Sequence, residues 1–289
     1  MTYSKYSVSR NLDVLHETME KYGERAEDIQ EQKQMSRILK WLAPSDPSTN
    51  YNKALQLRHE GTGHWFIYGE PFKQWRQQPN SFLWLYGIPG CGKTVLRSTI
   101  IENLEQQTTG QILLYFFFDF NDSRKQSLED AVRSIINQLF QIAPISRRHL
   151  VQSWESHGDG SRQPLTVTLR QILQDMLREI ADVTIILDAL DESNPRAEVL
   201  AWLEALAGHE TAACRILATS RKEADINEAL HGCTIAANRI AIQQEAVNDD
   251  ICAYVKHKIL NGDELERWRS LPNLQKEIEA KLMQKANGM

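Results

Sequence analysis

Residues 82–107, FLWLYGIPGCGKTVLRSTIIENLEQQ, constrain this chain more than any other stretch: a short apolar run, a glycine-rich loop, then helical periodicity. An apolar run without alternation suits a strand buried on both faces, as in parallel sheets. Gly87, Gly90, Gly92, Lys93 and Thr94 satisfy the pattern G-x-x-x-x-G-K-[ST]. Glycine lets the backbone wrap closely enough for successive N–H groups to point at phosphate oxygens. The helix that follows adds its positive end to the same anion. Lys93 is expected to reach the β- and γ-phosphates, and the Thr94 hydroxyl to ligate Mg²⁺. The expected nucleotide-binding set is therefore Gly87, Ile88, Pro89, Gly90, Cys91, Gly92, Lys93, Thr94 and Val95. Cys91 has two readings: a thiol activated by the helix end, or a small residue that the loop tolerates.

The rest of the chain alternates in the same manner. The runs at 111–120, 183–193 with its acidic end, 214–222 with its exit loop, and 234–242 read as strands, and 10–42, 128–142, 166–180 and 197–208 read as helices. This order predicts an α/β fold of the P-loop NTPase type, with a central, mainly parallel sheet flanked by helices. A helical linker is expected before it and a small helical domain after it. The expected divisions are 1–50 (linker), 51–80 (lead-in), 81–242 (nucleotide-binding domain) and 243–289 (helical domain). In the linker, Leu12, Leu15, Met19, Tyr22, Ala26 and Ile29 form a heptad-like stripe. That stripe either packs on the body of its own chain or serves a connecting or self-associating helix. APSDPSTN, 43–50, is expected to stop the helix, and Gly61 and Gly63 to mark a tight turn.

Two further segments carry chemistry. In VTIILDALDE, Asp188 emerges from an aliphatic run at the carboxyl end of a strand, where open α/β sheets bind their ligands. There a carboxylate can hold Mg²⁺, directly or through water. Asp191 and Glu192 follow, and either can orient or deprotonate the water that attacks a γ-phosphate. Asp188 alone would read as a strand-ending cap; the glycine-rich loop earlier in the chain favours the metal reading. In RILATSR, Arg221 leaves a neighbouring strand, placed to sense the γ-phosphate and stabilise its developing charge.

Composition excludes some classes. Net charge is −5 across 289 residues and no basic stripe is present, so nucleic acid is not expected as the main partner. No apolar run is long enough to span a bilayer, and MTYSKYSVSR lacks a signal-peptide core. The four cysteines are scattered without metal-ligand spacing, which fits a reducing, cytoplasmic setting.

Taken together, GIPGCGKT, IILDALDE and ILATSR resemble the NACHT nucleotide-binding domain of the STAND signalling NTPases. The small residue after the first acid, with two acids further on, is the more specific part. LKWLAPSDPSTNYNKALQLRHEGTGHWF and YFFFDFNDSRKQS are similar to stretches of fungal NACHT proteins, including heterokaryon-incompatibility proteins and their ankyrin- or WD-repeat relatives. The resemblance covers about residues 36–289. It implies a slow, regulatory NTPase that acts as a switch in innate immunity or heterokaryon incompatibility. The implied ligands are Mg²⁺ with ATP/ADP or GTP/GDP, and the implied output is self-association. By the same resemblance Lys93, Asp191, Glu192 and Arg221 are catalytic, Thr94 and Asp188 hold the metal, and Thr62 and Gly63 in GTGHW contact the purine. Relatives also carry an effector, a winged helix and sensor repeats; none is visible here, so the chain is expected to be a core fragment. A metabolic P-loop ATPase or kinase, and a nucleotide-independent scaffold, are the alternative readings.

Overall fold

The computed structural model describes residues 2–59, 61–107, 110–208, 214–242, 244–261 and 271–286. The apolar runs become strands β1 (Phe82–Tyr86), β2 (Ile112–Phe117), β3 (Val183–Asp188), β4 (Cys214–Ser220) and β5 (Arg239–Ala241). They form one sheet in the order β2-β3-β4-β1-β5, and every pairing is parallel. Side chains alternate across it, as the pleat requires. Phe82 and Trp84 enter one core with Phe116, Ile185 and Ile216, while Leu83 and Leu85 enter the other with Phe117, Ile186 and Leu217.

Helices cover both faces: α1 (Thr2–Leu42), α2 (Ser48–Leu57), α3 (His64–Ile67), α4 (Glu70–Gln77), α5 (Lys93–Gln107), α6 (Leu128–Ile142), α7 (Arg147–Ser156), α8 (Thr166–Arg178), α9 (Arg196–Ala207), α10 (Ala224–Cys233), α11 (Gln244–Asn261) and α12 (Pro272–Ala286). The first core is roofed by α6, α8 and α9, the second by α3, α4 and α5. Ser127 and Asp130 form a reciprocal capping box at the start of α6. Helices α11 and α12 pack on each other after β5.

The elements differ from expectation where they are short. The run 111–120 ends as strand at Phe117, and 234–242 is strand only from Arg239, after a single 3-10 turn at Ala236–Asn238. Asp46 accepts the Ser48 N–H at 2.8 Å, so the turn formers that stop α1 also start α2. Helices α2, α4 and α7 are too short for periodicity to declare them. In α4 a proline opens the first turn and only Phe72 and Trp75 are buried. The first helix begins at Thr2 rather than near residue 10. Of its stripe, Met19, Tyr22 and Ile29 are exposed, and the side chains of Leu12 and Leu15 lie outside the described residues. Ile38, Trp41 and Leu42, with Met35 and Leu39 packed beside them, join α1 to the core. Among the described residues, no helix is long and apolar enough to cross a membrane.

Candidate nucleotide site

The glycine-rich loop leaves the sheet between two neighbours of β1. Gly87 N–H donates to the Ser220 carbonyl at 3.2 Å, and Ile242 N–H donates to the Tyr86 carbonyl at 2.8 Å. Gly90 and Gly92 have φ of +80° and +82°, which side-chain-bearing residues rarely adopt. Gly87 is needed for space: a Cβ there would lie 2.5 Å from Cys91 Sγ. Cys91 is therefore a packing residue of the loop, half-buried. Lys93 Nζ donates to the Gly87 and Ile88 carbonyls at 2.8 and 2.9 Å, which centres its charge in the loop. Thr94 is exposed in the first turn of α5.

The acidic segment comes to the same end of the sheet, because parallel strands align their carboxyl ends. Asp188 is buried, with its two oxygens on different partners: Arg97 of α5 and the Thr219 hydroxyl. The Arg97 guanidinium lies 4.0 Å from the centre of the Phe117 ring. Ala189 then adopts φ +58°, ψ +51°, and donates its N–H to Thr219 Oγ1 at 3.1 Å. This left-handed residue folds the chain back, and a single turn carries Asp191 and Glu192 to the strand end. Asp191 accepts the Arg221 N–H at 2.9 Å and pairs with Arg221 Nε at 3.0 Å. Among the described residues, Glu192 accepts the Phe120 N–H, at 3.1 Å through one oxygen. Burial raises the Glu192 pKa above the usual glutamate value, and the charges of Asp191, Asp119 and Asp188 add to that.

The lead-in closes the other side. Thr99 Oγ1 of α5 donates to the Thr62 carbonyl at 3.0 Å. Gly63, at φ +80°, donates its N–H to Asp250 Oδ2 of α11 at 2.8 Å, and Trp65 Nε1 donates to the same oxygen at 3.2 Å. Beneath these bonds is a mostly apolar cavity of about 260 Å³, lined by residues that include Thr62, Trp65, Val95, Val247, Asp250 and Tyr254. A second cavity, of about 640 Å³, runs along Gly87–Cys91 to Arg221 and Lys222, and the two share Cys91, Ile242, Val247 and Ile251. An apolar chamber opening on a glycine-rich, cation-lined one suits a ring joined to a phosphate chain.

The donor set fits Mg²⁺. The ion takes hard oxygen ligands, keeps several waters and commonly needs only one or two protein ligands beside phosphate. Thr94 offers a hydroxyl, and beside the burial of Glu192 the charges of Asp191, Asp119 and Asp188 add to its raised pKa, a crowding that a cation would relieve. Asp188 is already bonded on both oxygens, so its simplest contribution is through a metal-bound water.

The structure brings together Lys93, Asp188, Asp191, Glu192 and Arg221 at one sheet end, as their strand positions implied. Thr62 lines the cavity, whereas Gly63 serves it through its bond to Asp250. Sequence reasoning passed over Arg97, Trp65 and Asp250. For Arg97 a signal existed: it stands beside Leu96, Ile100, Ile101 and Leu104, on a helix that buries them all. For Asp250 none did, since α11 contacts the loop only in three dimensions.

Residues 61–221 match the family model described as nephrocystin 3, N-terminal. The chain is 26% identical over 201 residues to the vegetative incompatibility protein HET-E-1 of Podospora anserina, a match that covers 68% of this chain and 15% of that protein. Among solved structures it is similar to the Aeropyrum pernix Orc1 protein in complex with DNA, at 13% identity and a TM-score of 0.37, over 61% of this chain and 44% of that one. With more than half of its length matched, and with its loop, spaced acids and arginine gathered at one sheet end, the chain belongs to the nephrocystin 3 N-terminal family, within the NACHT type of nucleotide-binding NTPases that its motifs resemble.

Proposed function

We propose that this chain is the core of a slow nucleotide switch, in which purine nucleoside diphosphate and triphosphate favour different arrangements and the triphosphate form self-associates. The observation that carries this reading is the pairing of the site's charges. Lys93 is bonded to loop carbonyls, Asp188 to Arg97 and Thr219, and Asp191 to Arg221. Exchanging such bonds for bonds to phosphate links nucleotide state to the positions of α5, β3 and β4, and it makes turnover slow. Glu192 is the acid with an oxygen to spare, so it, rather than Asp191, is the base. It would take a proton from water as the water oxygen bonds to the γ-phosphorus and the bond to the leaving diphosphate oxygen breaks. Arg221, released from Asp191, would then meet the γ-phosphate charge. Thr94 and Asp188 would hold Mg²⁺, which when bound neutralises charge on the phosphates.

The matched relative is named for vegetative incompatibility, and by that likeness the switch would serve incompatibility in the cytoplasm, with effector and sensor parts supplied by a longer protein. The deciding experiment denatures the purified protein, identifies the nucleotide released and measures turnover. Bound diphosphate with slow hydrolysis supports the switch. Many turnovers per second without an activator would rule it out.

A further inference from the structure

We propose that Lys125 is a positioning residue for hydrolysis: it ties the loop that holds Glu192 to the start of α2, so the junction between α1 and α2 governs how the base is held. The proposal rests on the reading of Glu192 as the base. Lys125 ends a single 3-10 turn, Ser123–Lys125, in a polar loop after β2, yet it is buried. A buried ammonium needs acceptors for its three protons. Lys125 finds them far along the chain: it donates to Thr49 Oγ1 at 2.7 Å and to Asn50 Oδ1, both in the first turn of α2. Asp122 Oδ2 stands 4.0 Å away. Asn50 extends the link, because its Nδ2 donates to Asp119 Oδ2 at 3.1 Å. The other oxygen of Asp119 accepts the Asn121 N–H at 2.9 Å. Backbone bonds close the same loop: Asp119 N–H donates to the Lys125 carbonyl at 3.0 Å, and Lys125 N–H to the Asp122 carbonyl at 2.8 Å. Residues 119–125 therefore form a closed loop fastened to α2 at both of its ends.

Phe120 is the part of that loop that reaches the site. Its N–H donates to Glu192 Oε2 at 3.1 Å, and its carbonyl accepts Gln126 Nε2 at 2.7 Å. The Gln126 carbonyl accepts the Asn194 N–H at 2.8 Å, so the acid-bearing turn is gripped at Glu192 and again two residues on. The Phe120 side chain is 63% exposed, so packing does not fix its peptide; the hydrogen-bonded loop does. Misplacing a catalytic group by about 1 Å can cost about 10²-fold in rate. Without the Lys125 ammonium the loop loses its hold on α2, and the Phe120 N–H can carry Glu192 out of line. The phosphate-binding segment 87–95 contributes none of these bonds, so nucleotide affinity does not depend on them.

The test measures equilibrium binding and single-turnover hydrolysis of ATP and GTP, each with Mg²⁺, on the full chain. Lys125→Met keeps the length of the side chain and removes its donors. It should slow hydrolysis by about tenfold and leave the nucleotide Kd within about twofold of the parent. In a Glu192→Gln background nothing remains to be positioned, so there Lys125→Met should change the residual rate by less than about twofold. Asn50→Ala breaks the same link from the half-buried α2 side, should slow hydrolysis by a smaller factor at unchanged Kd, and decides the matter should Lys125→Met fail to fold. An unchanged rate in these variants overturns the proposal. So does a further loss in the Glu192→Gln background as large as in the parent, which would make Lys125 a support of the fold alone. Failure of the wild type to bind either nucleotide sinks the site reading along with this proposal, and parental hydrolysis by Glu192→Gln sinks the base assignment with it. Normal hydrolysis by the Lys125 and Asn50 variants, beside a slow Glu192→Gln, sinks this proposal only.

Discussion

Asp188 and Glu192 stand four positions apart at one strand end, and their surroundings prepare them for different work. Asp188 is held by Arg97 and Thr219 in a buried cluster. Removing Arg97 would leave a buried carboxylate without its cation, so Arg97→Ala should cost about 3–5 kcal/mol in chemical denaturation; a loss below about 1 kcal/mol would show that the pair carries little. Glu192 keeps one oxygen free and holds its proton more tightly than an ordinary glutamate, chiefly through burial. A base works ionised, so hydrolysis should fall as pH drops through that raised pKa, with the acidic limb above the unperturbed value of 4.5. Glu192→Gln should bind nucleotide as before, hydrolyse about 10²-fold or more slowly, and lose that limb. Asp191→Asn with the greater loss would name Asp191 as the base. Lys93, Asp188 and Arg221 were legible because strand-plus-turn spacing places them at the carboxyl end of a sheet. Arg97 meets Asp188 across a separation of 91 residues, a meeting that no local spacing encodes.

Between those two acids, one turn decides the geometry. Ala189 occupies the left-handed region without being glycine, at φ +58°. That conformation costs a residue with a Cβ about 1–2 kcal/mol, whereas glycine loses about 0.5–1 kcal/mol of chain entropy. Ala189→Gly should therefore raise stability by about 0.5–1 kcal/mol, and Ala189→Val should lower it; thermal melts of the two variants check this. A glycine variant less stable than the parent would mean that the Ala189 methyl contributes packing that outweighs the strain. Elements of this kind divide into those that sequence declares and those it does not. Strands such as Val183–Asp188 are buried along their whole length, so an unbroken aliphatic run announces them. Helix α7 buries Leu150, Ser153 and Trp154 among polar neighbours, too little apolar surface to set a period. Its existence follows from the core beneath it, as does the three-residue β5, whose register against β1 is set by Trp84 and Tyr86.

At the scale of the molecule, α1 joins the body through its last turns. Trp41 Nε1 donates to the Arg162 carbonyl at 2.7 Å, Gln163 Nε2 donates to the Trp41 carbonyl at 3.0 Å, and Arg133 donates to the Leu42 carbonyl at 2.7 Å. Residues 21–33, by contrast, are exposed throughout. Burial of apolar surface is what stabilises, so these two parts of one helix should respond in opposite ways. Trp41→Ala should cost about 3–5 kcal/mol, from a large cavity and a lost bond. Removing residues 2–30 should move the unfolding free energy by less than about 0.5 kcal/mol, because the described side chains there cover nothing in the core. If the stripe through Met19, Tyr22 and Ile29 mates with another copy, the truncation should also lower the molecular mass measured by light scattering in the triphosphate-bound state, with nucleotide affinity unchanged. Stability and mass then separate the two readings of the stripe. A truncation that unfolds the protein places the stripe on its own body; one that leaves a stable but smaller species makes it a contact between molecules.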